Sequence, residues 1–163
     1  MSKERRVPET PATAMLRRNA VAFSEHVYDY VDRGGTAESA RQLGIDEHQV
    51  VKTLVMEDEA ARPMIVLMHG DRNVSTKALA RAIGAKRITP CAPTVAERHS
   101  GYQVGGTSPF ATKKRMPIYV EASILTLPTI YLNGGRRGFL VGIAPSILAT
   151  LLSATPVTCA GVD

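Results

Sequence analysis

Apolar and polar residues along the chain fall into short blocks of two different periods. Thr10-Pro11 offers a hydroxyl N-cap followed by proline at the first helical position. Met15, Leu16, Asn19 and Phe23 then recur at helical spacing. Ser24 to Tyr30 reads as a short strand broken by Gly34-Gly35, after which Thr36 caps a helix that Gly44 ends. Asp46 caps one further helical turn, Glu47 to Val51, which delivers Lys52 to a strand. Thr53 to Met56 and Pro63 to Met68 are two apolar strands joined by the acidic turn Glu57-Asp58-Glu59. Ser75 caps a helix through Ile83, with Gly84 as its stop.

Beyond that helix, Arg87-Ile88 gives a short strand and Thr94 to Arg98 a short helix, while His99 to Lys114 has no periodicity and is a loop. Pro117 to Val120, Thr129 to Leu132 and Gly138 to Ile143 read as strands, the last two joined by an Asn133-Gly134-Gly135 hairpin turn. Pro145 opens a closing amphipathic helix, Ser146 to Leu152. Adjacent hairpins mixed with helices make the class α+β, a single domain with a mixed sheet, rather than a regular βαβ repeat. The expected division is a polar lead-in over 1–9, the domain over 10–154 and a tail over 155–163.

Composition narrows the options. With 163 residues, 44% hydrophobic and 21% charged, the chain suits one globular domain. No apolar run reaches bilayer length and the N-terminus leads into no signal-type core, so the expectation is a cytoplasmic protein with no membrane partner. The two cysteines, Cys91 and Cys159, stand far apart and fit a reducing compartment, and Cys91 reads as a buried small residue. Charge is unevenly placed: residues 1–60 hold 11 acids and 8 bases, residues 61–163 hold 4 acids and 12 bases. A basic second part suggests a phosphate-bearing partner, although a solvated basic face would look the same.

Conventional catalytic groups are scarce. His26, His48, His69 and His99 lie in separate segments with no metal-ligand spacing, so no metal is expected. Neither a P-loop, a dinucleotide fingerprint nor a Gly-x-Ser-x-Gly elbow occurs, and no cofactor signature appears. Two features stand out. The loop Gly101-Tyr102-Gln103-Val104-Gly105-Gly106-Thr107-Ser108-Pro109-Phe110 could present backbone N–H groups to a carbonyl or oxyanion, or could be a plain connector. Lys52 is a cation at the mouth of an apolar strand, either reaching solvent or anchoring negative charge, with Thr53 beside it.

Val51-Lys52-Thr53-Leu54-Val55, Ala78 to Lys86, Gly101 to Pro109 and Ile130-Tyr131-Leu132-Asn133-Gly134-Gly135-Arg136-Arg137-Gly138 follow one another in order. That series resembles the YbaK family of Cys-tRNA(Pro) deacylases, related to the editing domain of bacterial prolyl-tRNA synthetases, over about Thr10 to Leu152. The resemblance implies a mixed, partly barrel-like sheet surrounded by helices, and a trans-editing enzyme that removes cysteine from tRNA(Pro), with Cys-tRNA(Cys) as a further substrate. It implies that Lys52 is essential, that Gly105 to Pro109 embraces the aminoacyl end, and that Tyr28 and Thr53 shape the pocket. It also implies that the substrate's own thiol attacks the ester, assisted by the terminal ribose hydroxyl. The chain departs from the family at Gly34-Gly35, where better-known members place an aromatic residue, and at Leu140, where they have an aspartate.

The expected site therefore has Lys52, Gly105 and Gly106 in catalysis, the two glycines giving N–H donors to the oxyanion. Tyr28, Thr53, Thr107, Ser108, Pro109, Asn133 and Leu140 bind substrate. Lys77, Arg81, Lys86, Lys113, Lys114 and Arg115 steer the tRNA backbone. Expected partners are the acceptor end of a mischarged tRNA and prolyl-tRNA synthetase. Deacylation of another small amino acid such as alanine, or a non-catalytic module binding the synthetase or tRNA, are the alternatives.

Overall fold

The computed structural model describes residues 7–161. The chain opens with α1 (Pro11–Arg18), β1 (Ser24–Val27), α2 (Gly35–Leu43) and a 3-10 turn, Glu47–Gln49. β2 (Val50–Asp58), β3 (Pro63–His69), β4 (Asn73–Val74), α3 (Thr76–Ile83), β5 (Ile88–Pro90) and α4 (Pro93–Ser100) follow. After a long loop come β6 (Ile118–Glu121), a 3-10 segment (Ala122–Thr126), β7 (Ile130–Arg136) and β8 (Phe139–Ile143). α5 (Ile147–Thr150), β9 (Thr155–Val157) and β10 (Ala160–Gly161) complete the chain.

Seven strands run in the order β1-β8-β7-β2-β3-β6-β9, with β5 pairing β2 beside this path; β10 and β4 form a separate pair. The sheet is mixed: β2 is antiparallel to β3 but parallel to β7, and β6 is parallel to both β3 and β9. β3 lies inside the sheet with both faces covered, which is why it is a continuous apolar run. Ile65 and Leu67 join Leu16, Phe110, Leu132 and Phe139 on one side. Met64, Val66 and Met68 join Leu79, Ile88 and Cys159 on the other. Each such fully buried side chain contributes roughly 1.5–3 kcal/mol of transfer free energy.

Local signals acted as their chemistry requires where they are short-ranged. Thr10 caps α1 in a reciprocal capping box with Thr13, Ser75 caps α3 by accepting from Ala78 N at 3.2 Å, and Gly84 ends that helix at φ +76°. Several expectations are corrected. β1 stops at Val27 rather than Tyr30, and Thr36 lies inside α2, whose N-cap is Gly34. Asn133-Gly134-Gly135 is a bulge within β7; the turn to β8 is Arg137-Gly138, because Arg136 pairs with Phe139. The closing helix is four residues, not seven. Residues 155–157 and 160–161 are strands. Of the expected terminal segments, positions 1–6 and 162–163 lie outside the described residues.

Glu121 ties the last segment to the sheet. It is 4% exposed; Oε1 accepts from Cys159 N at 2.9 Å and Ala160 N at 3.2 Å, and Oε2 accepts from Ser123 N and Oγ. Burial alone would raise its carboxyl, but those donors outweigh it and hold the group below the ordinary glutamate value. A depressed folded-state value adds stability above the unfolded value and loses it as pH falls through the folded one. Glu121→Gln is therefore expected to lower unfolding free energy by about 1–3 kcal/mol at pH 7. The gap to wild type should narrow under acid; urea unfolding at pH 7 and pH 3 checks this, and a constant gap would contradict it.

Candidate functional site

The site begins with a strand that lacks a neighbour. β2 pairs β3 from Val51 opposite His69 to Glu57 opposite Pro63. On its other side it meets β7 only at Val50 and Val51, and β5 only at Met56 to Asp58. Residues 52–55 have no strand beside them there. Antiparallel ladders alternate the direction of backbone groups, and Gly70 N donates to Val50 O, so the even residues of β2 bond to β3. Thr53 accordingly turns its N–H and C=O toward the gap, as Val55 does, whose carbonyl takes Cys91 N at 3.1 Å. Through this gap runs a cleft of about 570 Å³ lined by β2, the segment Tyr28 to Ser39, Gly105, Thr107, Asn133, Arg137 and Leu140.

Within the cleft, Thr53 Oγ1 is buried without a hydrogen-bond partner among the described residues, an expensive condition that a polar ligand would relieve. Lys52 is half-buried, and its Nζ donates to Arg72 O at 2.5 Å. Burial pushes the Lys52 ammonium below the ordinary lysine value, while Glu47 and Asp71 pull it back up. Cys91 also lines the cleft; burial and then Glu57 raise its thiol, so it stays neutral rather than acting as a nucleophile. At another part of the lining, Leu140 and Val50, packed on Ala40 behind them, give an apolar wall to which Tyr28 adds its half-buried ring.

The carbonyl holding Lys52 sits on a turn braced from several sides. Arg72 N donates to His69 O at 3.1 Å, and Thr36 Oγ1 lies 3.1 Å from Gly70 O and 2.7 Å from Glu47 Oε2. The His48 and His69 rings stack at 3.8 Å, His48 Nδ1 pairs with Asp71 at 2.8 Å, and His69 Nδ1 bonds His48 O at 2.8 Å. His69 Nε2 meets Ser123 Oγ at 2.7 Å, and that hydroxyl donates to Glu121. Both His69 nitrogens are thereby engaged, one by a backbone carbonyl and one by a hydroxyl that itself leads to a buried carboxylate. Sequence spacing missed this cluster because its members are contributed by the 3-10 turn, β3, its following turn and the segment after β6. His48, His69 and Asp71 place ligand atoms within 4.8 Å of one another. The lone pair that an imidazole nitrogen offers a cation lies in the ring plane, however, and two parallel stacked rings with both His69 nitrogens engaged do not converge on one ion.

The Gly-rich loop is fixed onto the β7 bulge. Asn133 Oδ1 accepts from Gly135 N at 2.7 Å and Arg136 N at 3.0 Å, while its Nδ2 donates to Gly105 O at 3.1 Å. Arg137 Nε donates to Val104 O at 2.9 Å. Gly106 differs from expectation: its N–H is taken up by Gln103 O at 2.7 Å, so it is not an available oxyanion donor. Ser108 and Pro109 are likewise buried behind the loop, Ser108 Oγ accepting from Phe110 N, and neither lines the cleft. Lys52, Thr53, Tyr28, Gly105, Thr107, Asn133 and Leu140 do converge there. Lys77, Arg81, Lys86, Lys113, Lys114 and Arg115 are all exposed, in segments away from the cleft lining.

Fold and cleft together define an α+β protein with one large mixed sheet, whose cleft is lined by one constrained lysine, an unpaired stretch of strand and an apolar wall. The chain belongs to the aminoacyl-tRNA editing domain family, whose model matches residues 33–151. It is 29% identical over 152 residues to EbsC of Enterococcus faecalis, a proposed Cys-tRNA(Pro)/Cys-tRNA(Cys) deacylase, with 93% of each chain covered. A proline–tRNA ligase of Limosilactobacillus fermentum is 24% identical over 106 residues, 63% of this chain and 18% of the ligase. The fold matches the crystal structure of a proposed trans-editing enzyme for prolyl-tRNA synthetase with TM-score 0.81 at 19% identity, covering 95% of this chain and 99% of that one. Among the described residues no helix is long and apolar enough to cross a membrane.

Two outcomes test this geometry. A Cβ at Gly106 would stand 2.7 Å from Arg137 N and 2.9 Å from Arg136 C, both backbone, so Gly106→Ala should cost about 1–3 kcal/mol in urea unfolding. Removing the Asp71 charge as Asp71→Asn withdraws one of the two groups that raise Lys52. Its ammonium should then titrate at lower pH, read from the nitrogen NMR shift of Lys52 Nζ; an unchanged or higher midpoint would contradict the assignment.

Proposed function

We propose that the protein removes cysteine attached in error to tRNA(Pro), acting in trans on the acceptor end. The observation that carries this reading is that Lys52 and the unpartnered Thr53 hydroxyl line one cleft in which the one cysteine is a neutral, buried thiol. Such a site binds and orients; it suits a substrate that carries its own nucleophile. The thiol of the esterified cysteine attacks its carbonyl, forming an S–C bond as the C–O bond to the ribose breaks. The thiol proton passes to the ribose oxygen that leaves, and water later opens the resulting thiolactone.

Lys52 supports the negative charge that develops on the ester oxygen, and Arg72 O together with the Asp71 side keeps its ammonium at the cleft. Thr53 offers its hydroxyl to the amino acid, with Gly105 and Thr107 forming the facing wall. The apolar Leu140 and Val50 surfaces, with Tyr28 beside them, accept an uncharged side chain the size of cysteine or alanine. The similarity to EbsC, a proposed Cys-tRNA(Pro)/Cys-tRNA(Cys) deacylase, supports cysteine. The match to part of a proline–tRNA ligase supports tRNA(Pro) and a synthetase partner. The exposed basic residues on α3, at Lys86 and over 113–115 supply salt-sensitive attraction for the tRNA backbone.

A deacylation assay with Cys-, Ala- and Ser-charged tRNA tests the proposal. Cys-tRNA(Pro) should be cleared fastest, and Lys52→Ala should slow it by roughly 100-fold or more, the scale of losing one charge-stabilising donor. Faster clearance of Ala-tRNA would assign alanine instead. A Lys52→Ala variant working at the wild-type rate would overturn the role of Lys52, and saturable tRNA binding without turnover would make the chain a binding module.

A further inference from the structure

We infer that the mouth of the cleft is a stacking site for the terminal base of the RNA, built from Tyr30, Arg137 and the backbone at Val104-Gly105. This rests on the aminoacyl-tRNA reading above and extends it to a part of the substrate that the amino-acid pocket does not touch. Four large hydrophobic residues are exposed among the described residues, and three of them, Tyr30 (37%), Val31 (44%) and Val104 (40%), line this one cleft. Isolated apolar residues need no explanation, but three gathered at one opening mark a contact surface.

The cluster is constructed. The Arg137 guanidinium lies over the Tyr30 ring, 4.8 Å from its centroid, and Arg137 Nε is fixed by Val104 O at 2.9 Å. Gly105 makes that closure possible: a Cβ there would come 3.0 Å from the Tyr30 hydroxyl and 3.2 Å from Arg137 Nε, and its φ of +89° disfavours any side chain. A planar cation held on an aromatic ring beside exposed aliphatic groups is a surface for a flat heteroaromatic ring. Arg33, Lys52 and Arg137 line the cleft against two carboxylates, Asp32 and Glu38, so a net positive charge accompanies the platform, matching a base whose 5′ side carries a phosphate. An apolar protein segment would match the valines but not the two guanidinium groups. The terminal nucleoside is the one part of the substrate that must lie next to the ester in the cleft.

The test uses an uncharged RNA minihelix with 2-aminopurine as its terminal base, whose fluorescence falls when it stacks. Wild-type protein should quench it on binding. Tyr30→Ala should abolish the quench and weaken binding about tenfold, the loss of one stacked base, with Tyr30→Phe retaining both. Circular dichroism of each variant confirms that it is folded. Quenching by Tyr30→Ala equal to wild type, or saturated wild-type binding without quenching, would overturn the site; in the second case the patch would be free to dock the synthetase. Because the probe carries no amino acid, its result is separate from the deacylation assay: quenching without deacylation defeats only the activity reading, and deacylation without quenching defeats only this one.

Discussion

The functional architecture depends on β2 being paired on one side and open on the other for residues 52–55. A fully paired strand would bury the backbone of Thr53 in a ladder and leave Lys52 no cleft to line. Two departures keep the gap open. β7 leaves β2 after two pairs and swells into the Asn133 to Arg136 bulge, and β5 rejoins β2 only at Met56. Exposed strand edges ordinarily invite pairing with another chain. Here the edge is short and walled by the Gly-rich loop and by residues 28–39, so it is offered to a ligand small enough to enter.

Rigidity around that gap comes from a connected set of buried and half-buried polar groups. Glu121 holds the last strands, Ser123 passes its field to His69, and His69 supports both the His48 carbonyl and the turn whose Arg72 carbonyl holds Lys52. Buried polar networks are costly when incomplete and specific when complete. This one is complete at every atom named, whereas the buried Thr53 hydroxyl, inside the cleft, has no partner. That contrast separates structural polarity from binding polarity better than charge or hydropathy does.

What could be read from the sequence follows the range of the interactions involved. Ser75, Gly84, Thr10 and Asp46 act on residues within one turn, and the starts or stops they mark are legible, although the turn after Asp46 ends at Gln49 rather than Val51 because β2 begins at Val50. The Lys52-Thr53 pair and the Gly-rich loop were legible as candidates because each is contiguous. Asn133-Gly134-Gly135 misled because hairpin turns and bulges call for the same residues; Gly135 at φ +100° would serve either, and only the Arg136–Phe139 pairing decides. Thr36 resembles a cap but uses its hydroxyl on Gly70 and Glu47, distant in sequence. The His69–Ser123 contact spans 54 positions and leaves no local trace. Gly106 was assigned a free N–H on composition, yet the loop's own Gln103 takes it.

The distribution of groups in the cleft also constrains what selectivity it can achieve. A pocket that meets its ligand through an apolar wall discriminates weakly against a side chain smaller by one atom, typically by one to two orders of magnitude. Leu140 and Val50 form such a wall, so size alone would separate cysteine poorly from alanine. On the proposed mechanism, a thiol that must itself attack the ester would supply a second criterion, because an alanine in the same place would have no thiol to offer. Selectivity would then reside in reaction rather than in binding, and the same requirement would protect correctly charged proline, whose ring nitrogen is not placed like a thiol. A cleft rich in orienting contacts and poor in reactive side chains is what that division demands: added nucleophilic power would cleave every ester that fits.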